Sequence, residues 1–310
     1  GWFEYPEITR EEHTEGIRQF ILQNPDLFAD GDVFTSCPEC ENGGPGDPRQ
    51  TGNVEEYRTF LIQEYEVSKQ AFAEINKNVT ANYYSMNGDV AKLVMNKSTT
   101  KALDGIITVD HYVETVDQLI ADINEYQKSS GGKVVLGEWG APIPDIHGSM
   151  TQEEQAQWLD EALLRILHET DIEGLNYWTH QGSSTALWNN DNEPRQAVTV
   201  LAKYFNPRHI SGDIKDTKGN ILTDVHITTP NKASDVTHGT YVLPLLDAET
   251  ITFSKAGYKP VTIQPDMSGT EHITQDIILI SENTNLWQKI MDYFYILFHG
   301  SGLVYATINA

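Results

Sequence analysis

Residues 134–140 read Val-Val-Leu-Gly-Glu-Trp-Gly, between Gly131-Gly132 on one side and Gly140-Ala-Pro on the other. A short apolar run broken by glycine at both ends reads as a strand buried on both faces, and such strands occur in parallel sheets covered by helices. This run ends on Glu138, where the buried strand gives way to a loop. A carboxylate there is costly to bury without a partner or a role. The bland alternative, the weaker of the two on this segment alone, is a structural Glu138 that caps a neighbouring helix or pairs with an arginine.

The rest of the first two hundred residues supplies that helical cover. The pattern predicts a helix over Thr9–Phe28, with Thr9 as N-cap and Glu12 three residues on, a strand over Asp32–Cys37 ended by Pro38, and a helix over Asn53–Ile75. Val79–Ser85 reads as a strand, Thr99–Leu103 as a short helix, Gly105–Val109 as a strand and Val116–Tyr126 as a helix. The strand Lys133–Gly137 is followed by a helix over Thr151–His168 with a Thr151/Glu154 capping box. Ile172–Trp178 is the last strand, and Pro194–Phe205 is a closing helix with proline in its first turn. Strands alternating with helices imply parallel pairing. Five βα pairs are legible, and Trp2-Phe3 could be the tail of a sixth strand. No glycine-rich phosphate turn follows any strand, which disfavours a doubly wound nucleotide fold. Carboxylates, aromatics and amides stand at the strand ends, as barrel active sites require. The expected architecture is therefore α/β, a partial TIM (β/α)8 barrel over residues 1–207.

After Asn206-Pro207-Arg208 the texture changes to short β-rich runs separated by Lys218-Gly219-Asn220, His238-Gly239 and Ala256-Gly257. Residues 208–281 read as a C-terminal antiparallel β-sandwich. Residues 282–310 form a tail in which Leu286–Phe298 is apolar and aromatic but short, and carries Lys289 and Asp292. That is too short and too charged for a membrane span. It reads as a packing helix, with docking at a membrane interface or cell surface as the alternative.

Lys and Arg number 21 against 45 Asp and Glu, a formal charge of −24. Such a field repels phosphate backbones and argues against nucleic-acid binding. Cys37 and Cys40, the two cysteines, flank Glu39. With no second pair and no histidine at finger-like spacing, neither a metal site nor a cofactor is expected, a redox role for the pair is the weakest reading, and disulfides are not expected to staple the fold.

Four strand ends carry polar groups that make sense together: Glu39 and Glu41 after Asp32–Cys37, Asp110-His111-Tyr112 after Gly105–Val109, Glu138 on the next strand, and Asn176, Trp178 and His180 at the last. Two carboxylates from neighbouring strands can divide nucleophile and acid/base roles in cleaving a glycosidic bond. A rim tryptophan offers a flat apolar face to a sugar ring. Each also has a bland reading: Trp178 as a core aromatic, His111 as a satisfied histidine, Glu39 and Glu41 as a solvated acidic loop. Their joint occurrence at the ends of successive strands favours the chemical one.

The order of Glu39, His111-Tyr112, Glu138 and Trp178 resembles clan A retaining glycoside hydrolases, which are (β/α)8 barrels with the acid/base after the fourth strand and the nucleophile after the seventh. The resemblance covers roughly residues 1–205. It implies Glu138 as nucleophile, Glu39 as acid/base, and His111, Tyr112, Trp178, Asn176 and Glu41 as substrate-binding. Pro38 stands where the clan usually has asparagine, so Glu41 is a rival acid/base. The same mapping leaves the first barrel strands outside this chain, and such a piece alone is expected to be poorly soluble or inactive. Residues 210–280 resemble the carboxypeptidase regulatory-like sandwich, on Ile210-Ser-Gly-Asp-Ile, Gly239-Thr-Tyr-Val-Leu-Pro and Phe253-Ser-Lys-Ala-Gly-Tyr-Lys-Pro. Together these imply a secreted or cell-surface hydrolase of a β-linked poly- or oligosaccharide. The alternative is a catalytically impaired glycan-binding or adhesion protein.

Overall fold

Segment 32–39 and the strands that follow it lie side by side in chain order. The computed structural model describes residues 8–43, 46–230, 233–236, 238–246, 250–266, 272–282 and 290. Trp2-Phe3 and most of the Leu286–Phe298 stretch lie outside the described residues. The chain divides into two compact units, Gly1–Val198 and Thr199–Ala310.

The first unit runs through α1 (Arg10–Gln23), α2 (Pro48–Thr51), α3 (Val54–Glu74), β1 (Ser85–Asn87), α4 (Gly88–Val94), α5 (Lys97–Ala102), β2 (Ile106–Asp110), α6 (Val116–Ser130), β3 (Lys133–Trp139), α7 (Pro144–His147), α8 (Gln152–Glu169) and β4 (Ile172–Tyr177), with α9 (Gln196–Phe205) after it. The sheet order is β1-β2-β3-β4 and every pairing is parallel. Ahead of β1, Val33 bridges Thr80 in parallel and Glu39 N–H donates to the Ser85 carbonyl at 2.9 Å, so segment 32–39 extends the same sheet. A doubly wound sheet reverses its strand order at a switch point. Here spatial order follows chain order without reversal, which is the winding of a barrel, and the unit is an arc of one.

The helix starts follow their caps. Thr9 and Glu12 form a capping box on α1, and Thr151 and Glu154 form another on α8. Helix α1 stops at Gln23 rather than reaching Phe28, because Asn24-Pro25 removes the next backbone donor. Strand β3 buries Val134, Val135 and Leu136 as the apolar run requires, and Trp139 is fully buried. Three expectations need correction. Asp32–Cys37 forms an isolated bridge at Val33 rather than a continuous strand, since Pro38 cannot donate and Glu39 turns into the left-handed region (φ 46°). Val79–Ser85 is likewise a bridge at Thr80 followed by β1 at Ser85–Asn87. Cys37 and Cys40 are joined in a disulfide (Cα–Cα 5.4 Å), so the pair does staple the chain, although across one turn only.

The second unit contains β5 (Arg208–Asp216), β6 (Val225–Thr228), β7 (Ala233–Val236), β8 (Thr240–Leu245), β9 (Ile251–Ser254), β10 (Tyr258–Lys259), β11 (Val261–Ile263), β12 (His272–Thr274) and β13 (Ile277–Ser281). They form two sheets, β10-β13-β5-β12 with β8 also on β5, and β11-β9-β6-β7. Ile210, Ile214, Tyr241 and Leu279 from the first meet Val225, Ile227, Phe253 and Ile263 from the second in one apolar core, which makes the unit a β-sandwich. Most pairings are antiparallel, whereas β12 and β13 run parallel to β5. Alternate burial along β6 and β9 marks the faces turned to that core.

Candidate active site

The carboxyl ends of β1, β2 and β3, together with the turn at Glu39–Asn42, bring five acidic or phenolic side chains into mutual influence. Glu138 is the penultimate residue of β3. Its Oε2 accepts the Tyr112 hydroxyl at 3.1 Å, and its carbonyl accepts the His111 N–H at 2.8 Å. Burial raises the Glu138 carboxyl above its ordinary value and the negative charge of Glu39 adds to this, while the Tyr112 donor opposes it. Burial and the facing carboxylates in turn hold the Tyr112 phenol far above its usual range, so it stays a neutral donor.

Glu39 and Glu41 have different surroundings. Glu41 is 4% exposed. Its Oε1 accepts from Asn87 N–H (2.7 Å) and Nδ2 (3.2 Å), and its Oε2 accepts from the Tyr57 hydroxyl (3.2 Å). A carboxyl group so fully engaged ties the turn to the end of β1. Glu39, half-buried and without such a set of partners, is the freer of the two.

Asp110 is the residue that the sequence reading passed over as a site group. It ends β2, is 5% exposed, and its carboxyl oxygens make no well-formed hydrogen bond, the Ser85 hydroxyl being near but not in bonding geometry. Burial, then the charges of Glu138 and Glu39, push its pKa up to about 8, with the nearby Ser85 hydroxyl pulling the other way. Its protonated form is thereby favoured near neutral pH. The side chain fits a notch made by Gly137: a Cβ there would stand 2.7 Å from Asp110 Oδ1, 2.7 Å from Ser85 Cβ and 2.9 Å from Thr108 Cγ2. The signal for it in the sequence was its place, directly before His111-Tyr112 at a strand end.

His111 is oriented rather than free. Its Nε2 lies 2.9 Å from Asp122 Oδ2, and Tyr126 Oη lies 3.4 Å from Nδ1. Burial lowers its pKa, against the pull of Asp122. Helix α4, absent from the sequence reading because seven residues show too little period, begins on Gly88 for a steric reason. A Cβ there would overlap the Tyr126 hydroxyl and stand 2.9 Å from His111 Nδ1. Between α4, β2 and α6 opens a cavity of about 360 Å³, lined among others by Asn87, Asp89, Asp110, Tyr112, Asp122 and Tyr126.

At the last strand, Asn176 Nδ2 donates to the Gly137 carbonyl at 2.9 Å, one residue before Glu138. Trp178 is 45% exposed, its N–H donates to the Trp139 carbonyl at 3.0 Å, and a cis peptide joins it to Thr179. Next to it His180 stacks on Trp188 with ring centroids 4.5 Å apart. Glu39, Glu41, Tyr112 and Glu138 thus share one end of the sheet, with His111 behind Tyr112 and Asn176 against the backbone of β3. Among the described residues, no cluster of three or more His, Cys, Asp or Glu side chains could hold a metal ion, and no helix is long and apolar enough to cross a membrane.

No family model matches the chain, and no curated protein matches it. Among solved structures it is similar to an FMN-binding β-glucuronidase from Faecalibacterium prausnitzii L2-6, at 10% identity and a TM-score of 0.47, over 82% of this chain and 44% of that one. A Bifidobacterium dentium β-glucuronidase is similar at 17% identity and a TM-score of 0.43, over 62% of this chain and 32% of that one. A fungal β-1,4-galactanase is similar at 14% identity and a TM-score of 0.43, over 62% and 68%. The chain spans less than half the length of both β-glucuronidases.

Proposed function

We propose that this chain carries the catalytic carboxylates of a retaining glycoside hydrolase acting on a β-linked poly- or oligosaccharide in a secreted or cell-surface setting. Glu138 attacks the anomeric carbon. Glu39, as general acid, gives a proton to the departing oxygen and then, as general base, takes one from the water that releases the glycosyl-enzyme. The observation that carries this reading is the Tyr112–Glu138 hydrogen bond, which favours the ionised carboxylate at a strand end that Glu39 neighbours. A nucleophilic carboxylate needs one orienting donor and one open oxygen, and Tyr112 engages Oε2 alone. Glu39 is preferred to Glu41 as acid/base because both Glu41 oxygens are committed to Asn87 and Tyr57. Trp178 supplies the apolar sugar platform, with His111, Asn176 and Glu41 holding the binding surface in shape. The sandwich, carboxypeptidase regulatory-like in this reading, is an accessory module.

Glu138→Gln should lower turnover of a β-glycoside on the order of 10³-fold or more. A 2-deoxy-2-fluoroglycoside inactivator should label Glu138, and labelling of any other residue refutes the assignment. Pro38, with Glu39 in a left-handed conformation, favours a second reading, that of a glycan-binding protein with impaired catalysis. Sugar binding without Glu138-dependent turnover decides for it.

A further inference from the structure

Glu138 and Glu41 are oriented through their own side chains: Tyr112 engages the first, Asn87 and Tyr57 the second. The Glu39 carboxyl makes no hydrogen bond or ion pair among the described residues, so its aim follows from its backbone alone. That backbone is left-handed (φ 46°), a region that residues with a Cβ rarely adopt. A non-glycine residue stays there only where its surroundings over-determine it. Pro38 fixes φ directly before it. The Glu39 N–H donates to the Ser85 carbonyl at 2.9 Å, and its carbonyl accepts the Asn42 N–H at 2.9 Å. The Cys37–Cys40 disulfide closes the turn around it, with Cα atoms 5.4 Å apart.

Cys37 and Cys40 are 6% and 1% exposed, whereas Glu39 between them is half-buried. The bond thus holds both flanks of the turn inside the fold. The carboxyl between them is near enough for its charge, when ionised, to act on Glu138, Tyr112 and Asp110. A cross-link over so few residues removes little freedom from the unfolded chain, so it contributes little to overall stability. What it restricts is the turn itself. A general acid must sit within hydrogen-bond reach of the departing oxygen, and a misplacement of about 1 Å costs on the order of 10²-fold in rate. Resting on the hydrolase reading above, we propose that the Cys37–Cys40 disulfide is a positioning element for Glu39, holding the turn in the conformation that presents this carboxyl to the leaving group.

Two leaving groups separate this role from a merely structural one. A 2,4-dinitrophenolate departs without a proton, whereas a phenolate needs one from the general acid. The probes are the phenyl and 2,4-dinitrophenyl β-glucosides, β-galactosides and β-mannosides, and kcat/KM on the full chain reads the step in which the leaving group departs. Cys37→Ser/Cys40→Ser should lower kcat/KM for the phenyl glycoside on the order of 10²-fold, and for the dinitrophenyl glycoside by less than about tenfold. Glu39→Ala should show the same contrast, and adding the serine pair to it should cost nothing more, because both changes act through one carboxyl. Equal losses on the two leaving groups, no loss, or losses that add to those of Glu39→Ala overturn the inference. Glu138-dependent turnover by the unmodified chain keeps the hydrolase reading in each of those cases. If the serine pair fails to fold, Cys37→Ala/Cys40→Ala, apolar at both buried positions, takes its place. Loss of the far-UV circular dichroism in both variants marks a folding staple and also overturns the inference. Absence of turnover of every one of these glycosides by the unmodified chain overturns both readings.

Discussion

Asp110 and Glu138 are backbone partners on adjacent parallel strands, brought level by a register shift between Val109 and Asp110. The shift sets a buried carboxyl without partners beside the carboxylate proposed to react. Burial first, then the charges of Glu138 and Glu39, favour the protonated form of Asp110.

Asp110→Asn should stabilise the protein at neutral pH. In the unfolded chain this carboxyl loses its proton near pH 4, whereas in the folded chain it holds the proton until about pH 8. Between those values the folded state binds more protons than the unfolded one, so stability falls as pH rises through the window and levels off above it. Asparagine removes that penalty, by on the order of 1–4 kcal/mol at pH 7 and by little at pH 4. Urea unfolding at pH 4.5 and 7.5 measures it, and equal differences at the two values would count against a neutral Asp110.

Tyr112→Phe removes the donor that favours ionised Glu138. The acidic limb of the kcat/KM profile should move to higher pH, and activity at the optimum should fall roughly tenfold to hundredfold. A drop in rate with the limb unmoved would mean that Tyr112 acts on the substrate alone.

Gly137→Ala places a methyl group against Asp110, Ser85 and Thr108, each closer than 3.0 Å. Such overpacking should cost about 1–3 kcal/mol. Combined with Asp110→Ala, which empties part of the notch, the same substitution should cost clearly less. A double-mutant cycle in thermal unfolding reads the coupling, and strict additivity would contradict the packing described here.

Glu41→Ala strips Asn87 and Tyr57 of their acceptor. Leaving buried donors unpaired should destabilise the chain by about 1–3 kcal/mol. Were Glu41 instead the acid/base, the variant would also lose turnover and recover it with added azide. Azide rescue at Glu39→Ala, and none at Glu41→Ala, is the expected outcome.

The strands that the sequence made legible are those whose own residues determine them. Val134, Val135 and Leu136 are buried as the apolar run requires, and Thr9/Glu12 and Thr151/Glu154 start helices where the capping boxes place them. Glu138 and Tyr112 meet because one ends a strand and the other follows the end of its neighbour. What the sequence hid depends on partners distant along the chain. Helix α4 owes its start to space left by Tyr126 and His111, and Glu41 is anchored by Asn87 and Tyr57. The Asp110 environment depends on a one-residue slip between two strands, which no local pattern encodes. Asp32–Cys37 shows the opposite case: its residues suit a strand, but Pro38 with the Glu39 turn prevents a regular ladder.

Because β1, β2, β3 and β4 neighbour one another in the order in which the chain meets them, each pairing closes only the stretch of chain from one strand to the next. Loop-closure entropy grows slowly with length and is smallest for such short excursions. The sheet can therefore assemble one strand at a time onto an edge already formed, as a zip closes, with no strand waiting for a distant partner. The charged end of the sheet draws on the turn before β1 and on the ends of β2 and β3, so it is complete only when these three neighbours are paired. Glu138 thus shares its end of the sheet with groups whose strands are joined through short closures, and the strand Ile172–Tyr177 leads directly into Trp178.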